Sequence, residues 1–384
     1  MHRRSKLTKW CLATAFLALV GAGCATAGST PGVGQRLPEP ASVFENPELL
    51  SDEAQFGRHV ALSAEVRAVA AGPTEEIAER ALAAAFAAAD SVQNLVVLNI
   101  EGSELRAINE AAGKQPVAVS PWTERIVLTT VRWAARTGGA FEPTIGPLAE
   151  LWGFGVQVNR APTPDEIRQA LSRVGYSKIE IDPDAHTIFL PEEGMRLDVR
   201  GAAKGFALDR MREAMLEAGA TAGIMDFAGE MLFFGPGPEK GLWPIQLEDP
   251  YDPSRNYAYL LLPPGSLATS NFYDRSVEIA GQRYGHVIDP RTGQPTAGMA
   301  SVTVYTSEGV VADIIATGLF VVSCRGGPQC TEAVQIVEQY PELNAIIVPE
   351  PPPGDNAQVT VTSGMRPHVV RLQRPFRPPP PDLD

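Results

Sequence analysis

The chain has 384 residues, with 32 Lys and Arg against 45 Asp and Glu, a formal charge of −13, and 44% hydrophobic residues. So acidic a balance argues against nucleic acid or an anionic lipid surface as a partner. The length suits one large domain or two modest ones, enough for a sizeable core.

In chain order, the basic start MHRRSKLTK leads into WCLATAFLALVGAG, an apolar run that ends at Cys24. The run is too short to cross a bilayer and has the build of a secretory signal. Gly21-Ala22-Gly23-Cys24 resembles a bacterial lipobox, with Gly21 where Leu is usual; the alternative is an ordinary cleaved signal. The expected division is a signal peptide over 1–23, a lipidated Cys24 that anchors the chain to a membrane, and a Gly/Pro-rich tether over 24–54. Cleavage removes four basic residues and no acid, so the exported chain is more acidic still.

Thr74 can cap a helix from Glu75 to about Gln93, and Ser120-Pro121 opens another that Gly138-Gly139 ends. Thr163-Pro164-Asp165-Glu166 starts a third, expected to run to Gly175. Strand signals alternate with these: KIEID and TIFL flank the turn PDAH, IMDF precedes MLFF, YAYLLL precedes PPG, and SVTVY precedes a helix. The order lacks the βαβ rhythm of a doubly wound sheet, so the expectation is an α+β fold with mixed sheets and packed helices. A single catalytic domain is expected over 55–350, followed over 351–384 by a C-terminal strand and a proline-rich, disordered tail. Cys324 and Cys330, in SCRGGPQC, are expected to close a small disulfide loop in an oxidising compartment; no histidine is near enough to favour a metal site.

No Walker phosphate loop, G-x-S-x-G elbow, H-E-x-x-H pair or dinucleotide glycine fingerprint occurs. Three segments carry the remaining chemistry. In LDVRGAAKGFALDRM (197–211) a short strand is expected to end at Asp198, with Lys204 where a helix begins. Helix-start amides and one lysine suit a phosphate; an ordinary turn with a solvated lysine is the common alternative. In EGVVADIIATGLFVVS (308–323), Asp313 and Thr317 share a face of an otherwise apolar helix. That pair suits a hard divalent cation such as Mg²⁺, although an Asp capping a neighbouring loop is the commoner use of such a pattern. In RYGHVIDPRTG (283–293), one of only five histidines sits beside a turn that Asp289 and Arg291 can pin.

Taken together, these segments resemble the FAD:protein FMN transferases, the ApbE-like flavin transferase family. Further matching stretches are SELRAIN (103–109), TGGAFEPTIGPLAELWGFG (137–155) and FAGE (227–230), in the same order along residues 55 to 350. The resemblance implies a periplasmic enzyme that splits the pyrophosphate of FAD, releases AMP, and joins FMN to a Ser/Thr hydroxyl of a flavoprotein belonging to a membrane redox complex. It implies a metal site for Mg²⁺ at Asp313, Thr317 and a carbonyl near Gly201, with Ala316 adjoining. It implies flavin-nucleotide contacts at Phe56, Asn99, Ala140, Phe141, Glu142, Asp198, Lys204, Glu230 and Val287, and a proton acceptor at His286. The chain departs from the family pattern at Phe56-Gly57-Arg58-His59, where Met-Gly-Thr is usual. It departs again at Leu98-Asn99, where an aromatic is usual, and at Arg200, where Gly is usual. Rival readings are an FAD pyrophosphatase on the same fold and a non-catalytic FAD-binding lipoprotein. A solute-binding lipoprotein is the bland alternative.

Overall fold

A computed structural model describes residues 42–153, 160–271, 276–279, 282–322, 330–351 and 357–373. The signal, Cys24, most of the tether, Cys324 and the end of the tail lie outside them. The fold is α+β, as expected. An antiparallel sheet of eight strands runs in the order 55–61, 64–71, 222–227, 230–234, 265–271, 299–306, 344–349 and 360–361. A three-stranded sheet of Val369–Leu372, Asp252–Leu262 and Trp243–Asp249 packs on one face of it, and helices cover the other. The segment after residue 350 therefore returns to the same body as two short strands.

Burial on both faces explains why the central strands read as continuous apolar runs. In Ala222–Phe227, Met225 and Phe227 join the helix-side core, while Ala222 and Ile224 join the core between the sheets. Ala345 and Ile347 alternate with Ile346 and Val348 in the same way.

Eight helices lie among the described residues. α1 (Glu75–Val96) is capped by the Thr74 hydroxyl, which accepts from Ile77 N–H, and buries an alanine stripe against the sheet. α2 (Glu104–Glu110) follows Ser103, and α3 (Pro121–Arg136) follows Ser120 with proline at its first position; beyond its end Gly138 turns left-handed at φ +61°. α4 (Gly146–Leu151) precedes α5 (Pro164–Leu171), which opens on a full capping box between Thr163 and Glu166. α5 stops at Leu171 rather than running to Gly175. Tertiary bonds take the chain there: Gly175 N–H donates to Thr144 Oγ1 (2.7 Å) and Tyr176 N–H to Glu142 Oε2 (2.9 Å). α6 (Arg200–Glu217), α7 (Gly309–Val321) and α8 (Thr331–Glu338) complete the set.

No strand ends at Asp198, contrary to expectation. The residues before α6 find other partners: Leu197 exchanges two hydrogen bonds with the Asn109 side chain (2.7 and 2.9 Å), and Asp198 N–H donates to Pro143 O (2.8 Å). An asparagine side chain here stands in for a neighbouring strand. Nor does α6 begin at Lys204: it begins at Arg200, with a kink at Gly201, and Lys204 lies in its second turn.

Candidate functional site

α6 and α7 cross closely, and the crossing builds the floor of the site. Gly201, Gly205 and Asp209 recur every four residues on α6, as Gly309, Asp313 and Thr317 do on α7, so each set shares a face. Gly205 N–H donates to Asp313 Oδ2 (3.0 Å), and a Cβ on Gly201 would lie 3.1 Å from Thr317 Oγ1. Asp313 is 4% exposed on a helix that is otherwise almost wholly apolar and buried. Asp313 shares a face with Thr317, as expected, and the amide it accepts from belongs to a neighbouring helix rather than to a loop.

A cavity of about 690 Å³ opens above this crossing, a volume suited to a cofactor-sized ligand. Of the residues expected at the site, it is lined by Ala140, Phe141, Glu142, Asp198, Gly201, Lys204, Glu230, His286, Val287, Asp313 and Thr317. They come from α6, α7, the loop after α3, the turn-and-strand at Glu230 and the segment at His286, so the fold gathers residues spread over nearly 180 positions. Arg200, Ala228 and Thr269–Asn271 also line it. Of these, sequence reasoning noticed Arg200 only as a departure. The only signal for the others was adjacency: Ala228 precedes Glu230, and Thr269–Asn271 is the TSN of LATSNFYDR.

Three expected contacts are not among the lining residues. Phe56 sits on the edge strand, half-buried between the sheets, with its ring edge-on to Phe44 at 6.5 Å. Asn99 is exposed in the turn after α1. Ala316 carries no donor side chain and is fully buried in the helix-side core. A family position can be matched in sequence while the side chain faces the packing instead.

Two lining carboxyls are strongly affected by burial. Glu230, 5% exposed, accepts from Lys204 Nζ at 3.0 Å through Oε1; Oε2 is buried without a hydrogen-bond partner among the described residues. Burial pushes the Glu230 carboxyl up to about 8, against the pull of Lys204 and with a further upward push from Asp313. Glu230 is placed by a two-residue turn at Ala228-Gly229, both left-handed, whose Gly229 N–H donates to Asp226 Oδ1 (2.9 Å). Burial also raises Glu142, whose carboxylate receives Thr144 N–H (2.8 Å), Thr144 Oγ1–H (2.7 Å) and Tyr176 N–H (2.9 Å). Glu142 therefore ties together the loop that carries Ala140 and Phe141. At the rim, Asp198 takes the Arg200 backbone N–H (3.0 Å) and the Nε–Nη2 edge of its guanidinium.

His286 lies between two short strands, Gln282–Gly285 and Ile288–Asp289. Its neighbours are fixed. Val287 O accepts from Thr296 N–H at 2.8 Å, and Asp289, 1% exposed, accepts from Arg291 N–H (2.9 Å) and Nε (3.0 Å). Trp152 Nε1 donates to Gly293 O (2.8 Å), bracing the turn from the end of α4. Cys330 is disulfide-bonded; its expected partner Cys324 lies outside the described residues.

The donor set suits a hard cation. No cluster of three or more His, Cys, Asp or Glu that could hold a metal occurs among the described residues. One buried carboxylate, one hydroxyl without a hydrogen bond among the described residues, and nearby backbone oxygen are what an ion takes when water and substrate phosphate fill its remaining positions.

The ApbE family model matches residues 57–341. An FAD:protein FMN transferase of Treponema pallidum is 26% identical over 298 residues, 74% of this chain and 80% of that protein. One of Vibrio cholerae is 32% identical over 238 residues, covering 61% and 71%. Among solved structures, the ApbE protein of Thermotoga maritima superposes with a TM-score of 0.72 at 29% identity, over 82% of this chain and 99% of its own.

Proposed function

The chain belongs to the ApbE family, and on that premise we propose how its cavity performs flavin transfer. It is an enzyme of the FAD:protein FMN transferase type, moving FMN from FAD to a target protein. The observation that carries the reading is the convergence of Lys204, Asp313, Thr317 and His286 on one cavity.

In this reading the FAD pyrophosphate lies over the α6–α7 crossing. Lys204 Nζ faces its negative charge, while Glu230, whose carboxyl burial pushes up, keeps the lysine in place through a 3.0 Å bond. Asp313, Thr317 and a carbonyl near Gly201 would hold Mg²⁺, whose chemistry there is to polarise the pyrophosphate. A Ser or Thr hydroxyl of the acceptor attacks the phosphorus on the FMN side. The new P–O ester forms as the bond to the AMP oxygen breaks, and His286 takes the hydroxyl proton. Phe141 and the loop locked by Glu142 pack beside the nucleotide and keep water from the attacking position.

The acceptor belongs, in this proposal, to a membrane redox complex, and the enzyme works on the periplasmic side of a bacterial membrane, tethered through lipidated Cys24. The lipobox-like GAGC and the Gly/Pro-rich tether support this. A Cys24→Ala chain should then leave the membrane fraction. The central experiment incubates the purified full chain with FAD and Mg²⁺, with and without a candidate acceptor domain. It reads AMP release and covalent flavin fluorescence on the acceptor. Acceptor-dependent release of both supports the proposal; AMP and free FMN without acceptor make the enzyme a pyrophosphatase; FAD bound with no turnover under any condition rejects it.

A further inference from the structure

Asp209 lines no part of the cavity, yet it is 2% exposed and both of its side-chain oxygens accept hydrogen bonds from α7. Its Oδ1 accepts from Gly309 N–H (2.8 Å) and its Oδ2 from Val310 N–H (2.9 Å), the first two amides of that helix. One turn on, Arg212 spans the same joint, with Nη2 at 3.4 Å from Asp209 Oδ1 and Nη1 donating to Ser307 O at 3.0 Å. We propose that Asp209 is a positioning residue for the metal-binding pair: by clasping the start of α7 to α6 it sets where Asp313 and Thr317 stand over Gly201. The proposal rests on the reading that a divalent cation sits on that pair.

The geometry makes the clasp act at a distance. Contacts along α6 run Gly201 to Thr317, Gly205 to Asp313 and Gly309, then Asp209 to Gly309 and Val310, so the two helices lie antiparallel with matched four-residue steps. A single hydrogen bond would leave α7 free to rotate about its axis. Two carboxylate oxygens on two consecutive amides fix rotation and axial height together. Thr317 is eight residues beyond Gly309, roughly 12 Å along the helix, so a small roll at the start displaces the donors at the far end. Sliding α7 along α6 would break the Gly205–Asp313 bond as well as both bonds to Asp209. Burial raises the Asp209 carboxyl, while the two amides and Arg212 favour its charged form, as does the positive end of the helix dipole. In Asp209→Asn the amide nitrogen would face an α7 N–H, so one of the two bonds turns into a donor–donor contact.

The test is Mn²⁺ titration of the full chain, read by electron paramagnetic resonance, with FAD affinity measured separately in chelator. Asp209→Asn should bind Mn²⁺ about 10- to 100-fold more weakly, the usual range when the support of a metal ligand is lost, while metal-free FAD affinity holds. Arg212→Gln should weaken Mn²⁺ less, and Thr163→Ala, which destabilises α5 far from the joint, not at all. Mn²⁺ affinity unchanged in folded Asp209→Asn overturns the proposal, as does an equal loss in Thr163→Ala. If Asp209→Asn does not fold, an Arg212→Gln chain with full Mn²⁺ affinity overturns it. A wild-type chain that binds no Mn²⁺ removes the metal reading itself, a distinct result.

Discussion

Gly205 and Gly309 meet backbone to backbone: a Cβ on Gly205 would lie 2.1 Å from the Gly309 carbonyl oxygen, and one on Gly309 would lie 2.4 Å from the Gly205 carbonyl oxygen. Neither obstacle is a side chain that can swing away. Gly205→Ala must therefore separate α6 from α7 and break the bond from Gly205 N–H to Asp313. The expected cost is at the upper end of, or above, the ~1–3 kcal/mol typical of overpacking. Urea denaturation should show it, and Gly309→Ala should match it. A Gly205→Ala chain of wild-type stability would mean that the helices are not in contact there.

Asp313 has two duties that substitution can separate. Asp313→Ala removes the proposed metal donor and the bond that Gly205 N–H makes across the α6–α7 crossing, at a cost of about 0.5–1.5 kcal/mol. Asp313→Asn keeps an acceptor for that N–H and loses the charge. Both should lower transfer at least ~100-fold at ordinary Mg²⁺, but only the alanine chain should lose stability. Equal melting temperatures for the two would show that the hydrogen bond contributes nothing.

His286→Ala should lower flavin transfer by about 10²- to 10⁴-fold, the usual contribution of a positioned base, with FAD affinity within a few-fold of wild type. Isothermal titration with FAD and an acceptor assay are the two readouts. Loss of FAD binding to the same degree as activity would instead make His286 a part of the pocket wall.

The Glu230 carboxyl predicts a pH dependence of stability. Its folded value near 8 lies above the ordinary glutamate value, so between about pH 4.5 and 8 the folded state holds a proton that the unfolded chain has released. Stability from this group is full below that window and is lost as pH rises through it. The wild-type melting temperature should thus fall between pH 5 and 8, and Glu230→Gln, which keeps an acceptor for Lys204, should flatten that fall. A parallel slope in the variant would place the titration elsewhere.

Phe56→Leu tests the placement of the edge strand. Because Phe56 packs against Phe44 between the sheets, the substitution should cost about 1 kcal/mol of stability and leave FAD affinity unchanged. A several-fold loss of FAD affinity in a stable chain would return Phe56 to the flavin site.

What the sequence determined by itself was local or pairwise at helical spacing. Thr74, Ser120 and Thr163 announce their helices because a cap needs only its own next three residues, and Asp313 and Thr317 announce a shared face because four residues make one turn. The α+β class followed from element order, and the family from strings long enough to be specific. What only the tertiary structure decided depends on partners far along the chain. The segment ending at Asp198 reads as a strand in the sequence, but the Asn109 side chain and Pro143 O take the backbone bonds of Leu197 and Asp198. α5 ends early because Thr144 and Glu142 capture the residues that would have continued it. Phe56 and Asn99 occupy family positions, yet one packs between the sheets and the other faces solvent. Asp209 reads as one more acid on a helix until the fold brings α7, a hundred residues on, onto its two oxygens. Propensity and spacing act over a turn or two, whereas a buried polar group is satisfied by whatever the closed core places beside it.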